Sequence, residues 1–264
     1  MMYEKDIPPA KVTTFLPADH PYLVFIFSYN EGAKLATQLS KFPVSNRAFD
    51  IMLGDDGSTD NSISQDLTEK FRIRGVVRLT RNMGLSANIK AGLNWYFQEN
   101  RYRGVVMMNG NDKDGPEAIP HFLDKLSAGY DYVQGSRFIQ GGEASNTPPL
   151  RYWAIRFIHA PLFSLAARHW MTDTTNGYRA FSSRFLSDPR VHIFQSAFQK
   201  YELEQYLAWK ALRLGFKCCE MPVARRYPPP TAEANHSNFT KIKPGIGYWQ
   251  MIKPILMLNL NRYR

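Results

Sequence analysis

Cysteine is almost absent from this chain, and the two present, Cys218 and Cys219, are neighbours. Adjacent cysteines bridge each other only under strain, and no others remain to pair with. A disulfide framework is therefore excluded, and a reducing compartment is the expectation. Long hydrophobic runs are lacking too. The longest apolar tracts, 153–167 and 246–260, are broken by Arg156, His159 and Pro161 and by Lys253 and Pro254, so neither reads as a membrane span. Residues 1–10 carry Glu4 and Asp6 with no apolar stretch, unlike a secretory signal. Negative charge is the scarcer sign: 23 acidic residues face 33 lysines and arginines, a formal net charge of +10. That balance favours anionic partners such as nucleic acid, phosphorylated small molecules or acidic lipid headgroups.

What is present is the material of an ordinary globular protein. The 264 residues are 44% hydrophobic and 21% charged, enough for one large domain or two small ones and too apolar for disorder. Short apolar runs alternate with segments of helical period. Strands are predicted at 23–27, 50–53, 76–79, 105–108 and 130–134. Between them, Leu35, Leu39 and Phe42 share one helix face, as do Ile63, Leu67 and Phe71, and then Ile89, Leu93 and Tyr96. Pro116 opens a further helix that Gly129 closes. Five such alternations predict an α/β fold with a mostly parallel sheet covered by helices on both faces.

Sheets of this kind bind ligands beyond the C-terminal ends of their strands. Those positions hold the polar residues: Ser28-Tyr29-Asn30-Glu31, Gly54-Asp55-Asp56-Gly57-Ser58-Thr59-Asp60, Asn109-Gly110-Asn111-Asp112-Lys113-Asp114 and Gly135-Ser136-Arg137. A carboxylate at a strand end accepts hydrogen bonds from a nucleobase or from ribose hydroxyls, and Gly57 lets the backbone turn close to a ligand. The plainer reading of 55–60 is a turn with Asp60 capping the next helix.

The ordered set of Tyr29-Asn30-Glu31, Asp55 to Asp60, Gly84 to Gly92, Asn109 to Glu117, Gly135-Ser136-Arg137, Gly177-Tyr178-Arg179 and Glu220-Met221-Pro222-Val223 resembles glycosyltransferase family 2. Within it, the set is most similar to the branch of dolichol-phosphate mannose synthases and bacterial polyprenyl-phosphate glycosyltransferases. The resemblance spans about residues 22–227. It implies a GT-A, Rossmann-like sheet, a nucleoside diphosphate-sugar donor, a divalent metal (Mg or Mn) and inversion at the anomeric carbon. It divides the chain into a catalytic domain, 1–227, and an acceptor-side extension of loop and amphipathic helix, 228–264.

By position, the resemblance puts Tyr29 and Glu31 beside the nucleoside and gives its base to Asp55 or Asp56. Asn109 and Asn111 fall where the family carries its metal-binding Asp-x-Asp. An amide oxygen binds a hard cation without contributing charge, so Asn111 with Asp112 and Asp114 is one metal-ligand set. A second possibility is that the Lys113 ammonium offsets the diphosphate directly. A fixed cation about 4 Å from such a charge interacts by about 4 kcal/mol at an effective dielectric of 20. A third is that Asp112 and Asp114 cap the helix opened at Pro116. Arg137, Arg179 and Lys241 are candidates to stabilise the leaving phosphates, Arg presenting a planar fork to phosphate oxygens. Their plain alternatives are a solvated Arg137 and a structural ion pair for Arg179. Glu202 and Glu204 open a helix over 201–214, and residues two apart do not share a face. Either one is the base that a sugar-hydroxyl acceptor requires, or both favour the helix dipole. An anionic lipid phosphate needs no base.

Residues 150–170 read as a helix kinked at Pro161, with Arg151, Arg156, Arg168 and His169 among Trp153, Phe157, Leu162 and Phe163. Residues 248–264 have similar character. Both suit a membrane surface bearing lipid phosphates, or packing on their own domain or a second subunit. The expectation is a cytoplasmic enzyme, peripheral at the inner membrane face, using a polyprenyl-phosphate or lipid-linked acceptor. A nucleic-acid partner is disfavoured because the strand ends are acid-rich and no stacking sheet is spaced out. The rivals kept open are a non-catalytic nucleotide-sugar binder or scaffold, which the two asparagines allow, and a transferase acting on a sugar hydroxyl.

Overall fold

The computed structural model describes residues 6–45, 47–229, 246–260 and 262–263. Among them are eight strands: β1 (Ala10–Thr14), β2 (Tyr22–Ser28), β3 (Asp50–Asp55), β4 (Gly75–Leu79), β5 (Gly104–Asn109), β6 (Tyr132–Ser136), β7 (Arg179–Ser182) and β8 (Cys218–Pro222). They form one sheet in the order β1-β4-β3-β2-β5-β7-β6-β8. β4, β3, β2 and β5 run parallel, as do β6 and β8, whereas β7 runs against both neighbours and β1 against β4.

The central strands are near-continuous apolar runs because both faces are covered. Leu23, Phe25 and Phe27 point into one core, and Val24 and Ile26 into the other. On the second face lie α1 (Ala33–Ser40), α2 (Gln65–Lys70) and α4 (Ile119–Ser127), which follows a single 3-10 turn at Pro116–Ala118. On the first lie α3 (Leu85–Glu99), α6 (Ala160–Ala167) and α8 (Glu202–Arg213). The short α7 (Ser183–Leu186) follows β7. A last helix, α9 (Ile246–Asn259), packs on α6 and α8 and buries Ile255 and Leu258 in that core. Among the described residues no helix is long and apolar enough to cross a membrane.

All five predicted strands are present, the fifth beginning two residues later than expected. The predicted 150–170 helix is instead α5 (Pro149–Ala154), one π turn (Ile155–His159) and α6. The irregularity lies a turn before Pro161, which has no N–H for the carbonyl four residues back, and the wider turn absorbs the missing bond. Arg168 then ends the helix in the left-handed conformation. Helix α2 is capped by Ser64, whose hydroxyl accepts from the Leu67 N–H. Asp60 is therefore not its cap: it accepts from Ser62 and reaches across to the Gly32 N–H.

Candidate active site

The C-terminal ends of β2, β3 and β5 open into a cleft of about 690 Å³. It is lined by six cationic side chains, Lys34, Lys113, Arg151, Arg179, Lys200 and Arg225, and three carboxylates, Glu31, Asp56 and Glu204. Another hollow, of about 590 Å³, lies between β1, β4 and α2 and contains none of the predicted site residues.

The floor is built by loops clasping one another. After β2, Asn30 takes a positive φ of 47°. Its N–H donates to Ser58 Oγ (3.0 Å) and its side-chain oxygen accepts from the Thr59 N–H (2.8 Å), joining 29–31 to the loop after β3. Tyr29 and Glu31 thereby face the cleft. Asp55 does not: it is buried beneath, paired with Arg78 at 2.6 Å and accepting from the Ser58 N–H. Asp56 lines the cleft and accepts from the Met83 N–H (2.7 Å), the Gly84 N–H (2.9 Å) and the Asn82 amide (3.0 Å). Burial raises its pKa, and the donors from Met83 and Gly84 offset only part of that. Gly57 (φ 70°) makes room for the Arg81 backbone, 2.5 Å from where a Cβ would stand.

The loop after β5 sends alternate residues in opposite directions. Asn109, Asn111 and Lys113 enter the cleft. Asp112, with a φ of 59°, pairs with Lys41 at 2.6 Å. Asp114 is buried and gives both carboxylate oxygens to Arg225, each at 2.5 Å. Neither aspartate lines the cleft, and among the described residues no three carboxylate, imidazole or thiol groups gather in metal-binding geometry. The predicted set of Asn111, Asp112 and Asp114 is therefore not assembled. The two aspartates are claimed by partners 71 and 111 residues distant. The cleft side of this loop offers two amides and an ammonium, a poor donor set for Mg or Mn.

Of the predicted cations, Arg137 is fully enclosed and forms a two-pronged pair with Asp173 (2.6 and 2.8 Å), outside the cleft lining. Asp173 lies in the 172–177 loop, which Glu220 also holds by accepting from the Thr172 and Asp173 N–H groups. Arg137 thus supports the loop that forms the cleft wall. Arg179 reaches the cleft, but its fork is committed to the Asn176 carbonyl and the Glu204 carbonyl, and its Nε stands 3.8 Å from the Glu204 carboxylate. Glu204 faces the cleft. Glu202 turns away, accepting from the Gln199 and Lys200 N–H groups at the start of α8. Gly177 leaves room for both Asn109 and Glu204, since a Cβ there would stand 2.6 Å from Asn109 Nδ2 and 3.2 Å from Glu204 Oε1. Lys241 and the loop around it lie outside the described residues.

Sequence reasoning missed the cations opposite. Arg225 and Tyr227 follow β8 directly, and the strand-end rule applied to that strand would have found them. Around the Tyr227 ring stand Lys113 Nζ (4.8 Å), Arg225 (5.8 Å) and Arg151 (6.0 Å). Burial, then the charge of Arg225, pulls the Lys113 pKa down to about 8. Burial works to raise Tyr227, but Arg225, Arg151 and Arg137 together outweigh it and bring the phenol to about 8. Outside the cleft, Leu150, Trp153, Phe157, Ile158, Leu165 and Trp170 are exposed, and so are Trp249 and Leu256 on α9 and Leu260 just after it. Trp153 and Phe157 stack at 5.2 Å.

Sheet order and the strand-end cleft together give the GT-A, Rossmann-like fold. Residues 23–188 match the family model described as glycosyl transferase family 2, and the chain belongs to that family. It is 28% identical over 209 residues to polyprenol monophosphomannose synthase of Mycolicibacterium smegmatis, covering 76% of each chain. It is 30% identical over 129 residues to dolichol-phosphate mannosyltransferase of Pyrococcus furiosus (47% of this chain, 35% of that one). It is 36% identical over 121 residues to undecaprenyl-phosphate 4-deoxy-4-formamido-L-arabinose transferase of Pseudomonas paraeruginosa (43% and 34%), so it spans about a third of these last two relatives. Among solved structures, glucosyl-3-phosphoglycerate synthase of Mycobacterium tuberculosis, in complex with Mn2+, UDP-glucose and phosphoglyceric acid, shares the fold. Its TM-score is 0.62 at 17% identity, over 92% of this chain and 79% of that one.

Proposed function

We propose that this glycosyltransferase moves a hexose-type sugar from a nucleoside diphosphate to a polyprenyl phosphate at a membrane surface, with inversion. The observation that carries the reading is helix α5. Arg151 lines the cleft, while Trp153 and Phe157, on the same short helix and the π turn after it, are exposed beside Arg156. A helix that is cationic toward the cleft and aromatic toward solvent suits a substrate whose phosphate reacts and whose chain stays in lipid. Three relatives named for polyprenol, dolichol-phosphate and undecaprenyl-phosphate chemistry support it.

In this reading the nucleoside lies along Tyr29, Glu31 and Asp56, and its diphosphate faces the cations around Tyr227. An acceptor phosphate oxygen attacks the anomeric carbon as the bond to the donor diphosphate breaks, and the electron pair leaves on the terminal phosphate. One displacement from the far side inverts the centre. The acceptor is already anionic and brings no proton to remove. The chain's own contribution is orientation and positive potential where the leaving group gains charge. The cleft side of the β5 loop, two amides and an ammonium, supplies no anionic ligand to a metal.

Glu204 favours a second reading, transfer to a sugar hydroxyl, because it is the α8 carboxylate that faces the cleft. The test is transfer from UDP-, GDP- and dTDP-hexoses to a short polyprenyl phosphate or to an oligosaccharide, with the product anomer identified by NMR. Glycosylated polyprenyl phosphate of inverted configuration is expected. Nucleotide binding with transfer only to the oligosaccharide would refute the lipid acceptor.

A further inference from the structure

Two amides and an ammonium occupy the stretch of the β5 loop that would otherwise hold a divalent ion, and the loop's two aspartates are committed elsewhere. Asp112 is bound to Lys41, and Asp114 lies under Arg225 with both oxygens used. Mg and Mn need anionic oxygen ligands to offset the cost of losing water, and a lysine among the donors repels them. The same stretch delivers positive charge by itself. Lys113 is nine-tenths buried, lines the cleft and stands with Arg151 and Arg225 around one aromatic ring. A polyanion entering the cleft would meet all three cations at once. The Asp114 carboxylate compensates Arg225 and fixes its direction.

We infer that Lys113, with Arg225 beside it, takes the place of the divalent cation at the donor diphosphate, so that nucleoside diphosphates bind without Mg or Mn. The inference rests on the nucleotide-sugar reading above and adds to it where the counter-charge comes from. Loss of a leaving diphosphate then requires no ion to dissociate with it, and donor affinity responds to salt and not to chelators.

The test is calorimetric titration of UDP, GDP and dTDP into the wild-type protein, Lys113→Arg and Lys113→Gln, each in EDTA and in Mn2+, with melting curves to confirm folding. One of the nucleotides is expected to bind the wild type with the same affinity, within about twofold, in both buffers. Lys113→Arg should retain that affinity, and Lys113→Gln should lose about tenfold or more in both. Binding that requires Mn2+ overturns the inference while leaving the functional reading intact, and this comparison needs no variant to fold. Unchanged affinity in Lys113→Gln also overturns it, as does an effect of that variant confined to the KM for a polyprenyl phosphate. Failure of all three nucleotides in both buffers overturns the functional reading and the inference with it.

Discussion

Replacing Arg137 with methionine separates a supporting residue from a phosphate ligand. Both members of the Arg137–Asp173 pair are almost inaccessible, and the two bonds between side chains are 2.6 and 2.8 Å long. Burial alone would raise the Asp173 pKa; the Arg137 charge and its hydrogen bonds outweigh that and hold it below the usual carboxylate value. The pair therefore stabilises the native state fully above the ordinary carboxylate pKa of about 4, and the contribution is lost as pH falls through the lower native value. Methionine keeps the volume and strands the carboxylate, which costs about 3–5 kcal/mol for a broken buried pair. At about 2–4 °C per kcal/mol for a chain of this size, the melting temperature should fall by about 6–20 °C at pH 8. Without the guanidinium, burial becomes the dominant influence and Asp173 favours its neutral form, so the deficit should narrow as the buffer is taken from pH 8 to pH 5. Arg137→Met with Asp173→Leu removes both charges and should recover more than half of the loss. Thermal unfolding followed by circular dichroism at the two pH values checks all three outcomes. A single variant that melts with the wild type but no longer binds nucleotide would refute the reasoning and return Arg137 to the phosphates.

Gly177→Ala should reduce turnover far more than stability, because its methyl group would meet Asn109 Nδ2 at 2.6 Å and Glu204 Oε1 at 3.2 Å, both in the cleft. Paired kcat/KM and urea-unfolding measurements check this. Glu204→Gln should leave transfer to a polyprenyl phosphate within about tenfold of wild type and, if a hydroxyl were the true acceptor, lower that activity by about 10²–10⁴; initial rates with each acceptor tell the two apart. Trp153→Ala combined with Phe157→Ala should abolish flotation with vesicles of anionic lipid while leaving the melting temperature unchanged, since both rings are largely exposed.

The parallel core was legible because β2, β3 and β5 are apolar runs buried on both faces, and β4 departs from that pattern only at Arg78. The strands that escaped notice carry weaker signals. β1 is exposed along its whole length and pairs only at the sheet edge. β7 has four residues and begins with a buried arginine. In the cleft, the positions after strands were readable from their place in the chain, so Tyr29, Glu31, Asp56, Asn109, Asn111 and Lys113 all face one cavity. The direction of the remaining side chains was not readable, because distant partners decide it. Asp114 turns away toward Arg225, Asp112 toward Lys41 and Arg137 toward Asp173. Of the helix-opening acids Glu202 and Glu204, backbone N–H groups just upstream capture the first and leave the second.

The Asp114–Arg225 clasp has a consequence for anyone building chimeras. Transplanting residues 109–114 from a metal-using homologue with no acid at the position of Asp114 would import ligands for the ion but remove the counter-ion beneath Arg225, stranding a guanidinium in the interior. A successful exchange of catalytic strategy would have to carry the segment after β8 along with it, so the two stretches of chain behave as a single inheritable cassette.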